Sequence, residues 1–248
     1  MRFNSSVWEL GCLLNCANRC ALLGNDIVDL RFCESPKKSH VHYLDRACTL
    51  EEAEAVRRSV SPARALALVW ACKEAAYKLF SKQLKCHFVP SQFAIQIEDR
   101  DPVLVDKKLS VLYAGAQTEV SLFAEELWVH AVAISPGMRI HWAVREIEKC
   151  FAGRHRASHE SEAVRSLANA LLDDLGLRDV NLQFEGRIPQ LRRKGGGQAG
   201  IDVSLAHHGE FAAAAIAWPA CYVLSRRWDE ASFVEGADLE VVCSTCTA

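Results

Sequence analysis

The 248-residue chain lacks a strong excess of either charge: 29 Lys and Arg against 31 Asp and Glu leave a formal net charge of −2. Without a global basic field, attraction to nucleic acid or to an anionic membrane is not expected, and any anion site must be local. No stretch reaches the roughly 18–20 apolar residues that a membrane helix requires. No secretory leader is evident either, because Glu9, Asn15, Asn18 and Arg19 interrupt the apolar residues near the start. A cytoplasmic protein with reduced thiols is the expectation.

What is present is enough apolar material, 50% of residues, for a sizeable core in one large domain or two small ones. Cysteine is abundant, at 11 residues. Cys12, Cys16 and Cys20 recur every four residues, which on a helix makes one face; a stripe of small apolar side chains is a simpler account than a metal cluster. Cys243 and Cys246 form a C-x-x-C without the second pair that zinc needs or the following helix that redox chemistry uses.

The pattern of elements predicts an N-terminal extension over 1–19 and a strand over 21–30. Thr49 followed by Glu51 and Glu52 marks a helix start. Pro62 opens a longer helix, to about residue 84. Strand-like segments follow at 93–97, 109–113, 119–123 and 127–134. Ser135-Pro136-Gly137 breaks the pattern and divides the chain into halves at 20–136 and 137–221. The second half reads as a strand over 139–147, a helix over 161–175 ended by Gly176, and a strand over 180–184. A glycine-rich basic loop is predicted over 186–200, then strands over 201–206 and 211–218 joined by His207-His208-Gly209-Glu210. Residues 222–248 read as a tail.

Two acids, Asp26 and Asp29, interrupt the apolar run Leu22-Leu23-Gly24-Asn25-Asp26-Ile27-Val28-Asp29-Leu30. A buried carboxylate is costly unless paired or bound to a cation. Forty residues on, the long helix carries W-A-C-K-E-A-A-Y-K, Trp70 to Lys78. Ala65, Val69, Cys72, Ala76 and Leu79 form one apolar stripe, with Glu74 and Lys78 on the opposite side. Glu74 and Lys78 alone would be an ordinary surface pair at i and i+4. Combined with a strand-end Asp26, they suggest a shared hard cation, since magnesium takes one or two carboxylates and completes its shell with water and phosphate oxygens. Lys78 would meet the same phosphates as a point charge.

G-N-D-I-V-D followed by W-x-x-K-E-A-x-x-K resembles the two-part signature of the 4'-phosphopantetheinyl transferase superfamily. Gly24, Asp26, Trp70, Lys73, Glu74 and Lys78 all match. The resemblance implies an α+β fold built as a pseudo-two-fold pair of units, each a helix packed on a small antiparallel sheet. It implies transfer of 4'-phosphopantetheine from coenzyme A to a serine of an apo-acyl or peptidyl carrier protein, with Mg2+ as cofactor and adenosine 3',5'-bisphosphate as product. Asp26, Glu74 and Asp29 would be the metal ligands, and Glu74 and Lys78 the catalytic residues. The family's coenzyme half offers a G-K/R-P turn and an S-H-S-G strand end. Here Gly186-Arg187-Ile188-Pro189 and Ala206-His207-His208-Gly209 stand at the corresponding places, so that Arg187, His207 and, more weakly, Lys73 would bind the coenzyme. The order of the two parts is reversed relative to the larger family type, and a single chain would suffice as a monomer. Neither nucleic acid nor membrane is an expected partner. The alternative is a catalytically silent module of the same fold that binds carrier protein or coenzyme A. If one site is built, Asp26 and Glu74 should converge with Lys78, and Arg187 and His207 should face them across a cleft.

Overall fold

A computed structural model describes residues 22–33, 40–84, 86–96, 108–147, 155–197 and 200–220. The cysteines at 12, 16, 20, 243 and 246, with the expected extension and tail, lie outside the described residues.

The chain opens with β1 (Leu23–Asp29), followed by a short turn of helix, α1 (Leu30–Cys33). Then come α2 (His40–Ala47), α3 (Leu50–Arg58) and the long α4 (Pro62–Phe80). Thr49 caps α3 as its sequence implies: its hydroxyl accepts from the Glu52 amide, and the Glu52 carboxylate accepts from the Thr49 amide. Strands β2 (Ala94–Gln96), β3 (Lys108–Tyr113), β4 (Ala116–Ala124) and β5 (Trp128–Ile134) complete a five-stranded antiparallel sheet in the order β1-β5-β4-β3-β2. The last strand thus returns to pair with the first, in the register Asp26 opposite Ala131. Helix α4 lies across β1 and β5 and carries most of the larger core, with Val69, Cys72, Ala76 and Leu79 all buried.

The second half builds a three-stranded sheet and a separate two-stranded one. β6 (Met138–Glu146) leads to α5 (His155–Asp174), then β7 (Val180–Glu185), β8 (Ile188–Arg193), β9 (Asp202–His208) and β10 (Phe211–Pro219). β10 pairs antiparallel with β6 and β9, and β7 pairs with β8. The loop predicted over 186–200 is therefore largely a hairpin: Gly186 turns with φ +62° and Ile188–Arg193 runs back along Val180–Glu185. The basic residues hid the strand, because Leu191 alone of β8 is fully buried and the apolar alternation is weak. The predicted end of α4 also moves, from about 84 to Phe80.

β10 reads Phe-Ala-Ala-Ala-Ala-Ile-Ala-Trp-Pro, and all of it except Pro219 is buried. Its two faces serve different partners. Ala212, Ala214, Ile216 and Trp218 pack with α5, whereas Ala213, Ala215 and Ala217 pack against Leu23 or Ile27 of β1. Alanine is a poor strand former, but here its small size lets a third layer approach closely. The two halves therefore share β1 as a common buried element. Among the described residues, no helix is long and apolar enough to cross a membrane.

Candidate functional site

Side chains alternate along a strand, so Gly24, Asp26 and Val28 occupy one face of β1 and Leu23, Asn25, Ile27 and Asp29 the other. Helix α4 covers the first face. It comes so close that a Cβ on Gly24 would overlap the Ala75 carbonyl oxygen and stand 2.6 Å from the Leu79 amide nitrogen. Glycine at 24 is what allows the helix to lie on the strand and its side chains to reach Asp26.

Three groups meet there. The Lys78 ammonium donates to Asp26 Oδ1 at 2.9 Å and lies 3.4 Å from Glu74 Oε1. The second Glu74 oxygen accepts from the Trp70 indole N–H at 2.9 Å. Trp70, Glu74 and Lys78 are each one turn apart on α4, so the helix presents indole, carboxylate and ammonium in a row. Asp26 is buried, whereas Glu74 and Lys78 are 27% and 24% exposed. The site is thus open on the helix side and closed beneath Asp26.

Burial pushes the Asp26 carboxyl up to about 7; Lys78 opposes the shift and Glu74 adds to it. Burial alone would lower the Lys78 ammonium, but Asp26 and Glu74 together hold it above its ordinary value. A buried carboxyl pushed up to about 7 is poised to gain from additional positive charge. With two hard oxygen donors gathered about the Lys78 ammonium, the pair fits magnesium's habit of using one or two carboxylates beside water and phosphate. Among the described residues, no group of three or more His, Cys, Asp or Glu converges in metal-binding geometry.

Asp29 is not part of this cluster. It lies on the opposite face of β1, where both its oxygens are taken. Arg31 donates to them from Nε at 3.0 Å and Nη2 at 2.9 Å, and the Glu210 amide donates at 3.0 Å. Although burial pushes it up, these hydrogen bonds hold the Asp29 carboxyl below the usual carboxylate range. Three residues of separation along a strand reverse the side chain's direction, which is why Asp26 and Asp29 do not share a ligand.

Lys73 also lies elsewhere. It is fully buried and donates to the Glu52 carboxylate, the Ala47 carbonyl at 2.8 Å and the Pro90 carbonyl at 3.1 Å. Glu52 in turn accepts from the Ile95 amide at 2.7 Å. Lys73 thus ties α4 to α2, to α3 and, through Glu52, to β2, and its three donors are all used. Ala67 and Ala71 are buried in the same core.

In the second half, alternation along β9 turns Asp202, Ser204, Ala206 and His208 toward β1 and Val203, Leu205 and His207 toward α5. His207 is exposed, with its Nδ1 3.5 Å from Glu160 of α5. His208 is the histidine at β1, where its Nδ1 accepts from the Asp29 amide at 3.0 Å. Arg187 is exposed in the turn between β7 and β8. Asp26, Glu74 and Lys78 are brought together; Arg187 and His207 are not in contact with them among the described residues.

Residues 22–133 match the family model of the 4'-phosphopantetheinyl transferase superfamily. The matched segment contains every member of the Asp26, Trp70, Glu74 and Lys78 cluster, and it ends one residue short of the last residue of β5. The strands β6 to β10, with Arg187 and His207, lie outside the matched residues. No curated protein matches the chain.

Two features of the segment's site were missed in the sequence. One is the indole bond that orients Glu74, legible only as the i, i+4 spacing of Trp70. The other is the charge network at the ends of β1. At the Leu23 end, Lys82 donates to the Leu23 carbonyl at 2.6 Å, to Asp202 at 2.7 Å and to the Val203 carbonyl at 2.8 Å. At the other end, Arg31 binds Asp29 and Glu210 and stacks 5.0 Å from the Phe211 ring centre. Neither network is legible locally as a link between the halves, because Asp202 and Val203 lie 120 and 121 residues from Lys82 and Glu210 lies farther still along the chain from Arg31.

Proposed function

We propose that this chain is a magnesium-dependent 4'-phosphopantetheinyl transferase. It moves phosphopantetheine from coenzyme A to a serine hydroxyl of an apo-carrier protein and releases adenosine 3',5'-bisphosphate. The observation that carries this reading is the meeting of Asp26, Glu74 and Lys78 within the segment that matches the superfamily. The paired course of the two halves supports a pseudo-two-fold arrangement, with a metal half at 20–136 and a coenzyme half at 137–221.

Asp26 and Glu74 would hold magnesium, which supplies positive charge against the coenzyme's pyrophosphate. The chemistry asked of the chain is modest: the serine oxygen attacks phosphorus, the bond to the departing bisphosphate breaks, and the serine proton needs an acceptor. Glu74 is the acceptor in this reading. Its Oε2 is oriented by Trp70, while Oε1 faces the Lys78 ammonium. Lys78 already serves two anionic groups and would stabilise charge on the transferring phosphate. Asp26 is the less exposed carboxylate and acts by charge alone. Arg187 and His207 are exposed side chains with N–H donors for the coenzyme's phosphates, a role that rests on the motif resemblance.

The test is incubation of apo-carrier proteins from fatty-acid, polyketide and peptide-synthetase systems with coenzyme A and magnesium. Intact-mass spectrometry should show a gain of one phosphopantetheine on at least one of them. Folded protein that modifies none of them overturns the reading. Turnover of coenzyme A without any carrier protein would point instead to a hydrolase.

A further inference from the structure

We propose that Asp202, Ser204 and His208 of β9 are positioning residues for Asp26: they fix β1 against α4 from the far half of the chain. The proposal rests on the reading of Asp26 as a magnesium ligand.

β1 is the edge strand of its sheet, so its outward backbone amides have no partner strand. Side chains of β9 fill that role. The Leu23 amide donates to Asp202 Oδ2 at 2.8 Å, the Asn25 amide to Ser204 Oγ at 2.9 Å, and the Asp29 amide to His208 Nδ1 at 3.0 Å. Each pair is separated by the same 179 residues, so β1 and β9 run parallel in constant register. A backbone ladder would hold two strands at one spacing, but side-chain acceptors of different length set the height and tilt of β1 rung by rung.

The ladder has one gap. Ala206 stands opposite Ile27 and carries no acceptor; the two side chains pack together instead. The Ile27 amide serves the Asp26 carboxylate. Asp26 therefore sits in the gap, flanked by the Asn25 rung on one side and the Asp29 rung on the other. Both ends of the ladder are anchored. Asp202 also accepts from Lys82, just past the end of α4, and Gly209 packs so tightly on Asp29 and Phe32 that no side chain fits there. A shift of β1 along this ladder would carry Asp26 away from Lys78 and Glu74, which ride on α4.

Ser204→Ala removes one rung at the cost of a single hydroxyl, and Ser204→Thr restores it. Three quantities should be measured on each full-length protein: amide exchange at Asn25, affinity for magnesium alone by calorimetric titration, and steady-state kinetics. In Ser204→Ala the Asn25 amide should exchange about tenfold faster, as expected for a donor that has lost its partner. Magnesium affinity and kcat should each fall about fivefold, the equivalent of one neutral hydrogen bond. The KM for coenzyme A should stay within about twofold, since uniform binding is untouched. Ser204→Thr should recover all three.

Faster exchange with unchanged magnesium affinity and unchanged kcat would reduce the ladder to a structural contact and overturn the proposal. Unchanged exchange would remove the rung itself. If the wild-type chain binds magnesium but modifies no carrier protein, the transferase reading fails, and exchange together with magnesium affinity still decides this proposal.

Discussion

Replacing Asp26 with Asn should make the protein more stable at alkaline pH while removing one ligand of the proposed metal site. The folded Asp26 carboxyl is pushed from 3.8 up to about 7, chiefly by burial. In the unfolded chain it ionises near its ordinary value. Between these two values the unfolded state sheds a proton that the folded state keeps. The contribution of Asp26 to stability is therefore best below about pH 4 and is lost as pH rises through about 7. A shift of about three units at ~1.4 kcal/mol each sets a limit of about 4 kcal/mol lost by pH 8.5. Asn keeps the shape and carries no such cost. Against this, Lys78 exchanges a charged acceptor at 2.9 Å for a neutral amide oxygen, forfeiting part of the roughly 1.5–3 kcal/mol of a charged hydrogen bond, although Glu74 remains beside it. The expected net gain is about 1–3 kcal/mol at pH 8.5, shrinking to nothing or reversing near pH 4. The assay is urea unfolding of both proteins in chelator-treated buffer at pH 4, 6, 7 and 8.5. Adding magnesium should then stabilise the wild type at pH 8.5 and leave Asp26→Asn unmoved, because a ligand stabilises only the state that binds it. A variant less stable than the wild type at pH 8.5, or a difference that does not change with pH, would refute the reasoning.

Glu74→Gln keeps the indole bond's acceptor but removes the proposed base, so kcat should fall on the order of 100-fold in a carrier-protein assay. Gly24→Ala drives a methyl into the backbone of α4; chemical denaturation should show a loss of about 3 kcal/mol or more. Lys73→Met leaves Glu52 buried and unpaired, costing about 3–5 kcal/mol, and Glu52→Gln added to it should recover part of the loss. The KM for coenzyme A of folded Lys73→Met should match the wild type, because Lys73 is a core residue. His130 is fully buried beside Trp142, and burial lowers its pKa to about 3. The unfolded state takes up a proton below about 6.5 that the fold refuses, so stability falls as pH drops from 6.5 toward 3. His130→Leu should remove about 2 kcal/mol of the wild type's loss between pH 7 and 5, read from the same unfolding curves.

Some of the molecule was open to sequence reasoning because the signals were local. The capping box at Thr49 and Glu52, the stripe on α4 and the spacing of Glu74 and Lys78 each depend on neighbours within a turn or two. The strands of the first half were found because their buried and exposed residues alternate, as in β4. β8 was missed for the converse reason: one fully buried residue in six gives no period to read. Lys73 was misassigned because a lysine in a polar-looking motif is ordinarily exposed, and nothing near it in sequence announces Glu52 as its partner.

The two acids that interrupt β1 show a different kind of failure. The rule that separates them, two-residue alternation, was available from the sequence alone, and it already forbids Asp26 and Asp29 from facing one cation on a regular strand. What made them look alike was their closeness in the chain. Their fates follow from what lies on each face of β1. On the α4 side, Asp26 meets an ammonium and a second carboxylate and is left short of positive charge, with its carboxyl pushed up to about 7. On the other side, Asp29 meets the Arg31 guanidinium and the Glu210 amide, which fill its oxygens and lock the end of the strand to the second half. One acid is saturated and so can only hold structure; the other is undersatisfied and so can still bind a cation. In a buried strand, that difference in residual demand for charge separates a ligand from a latch.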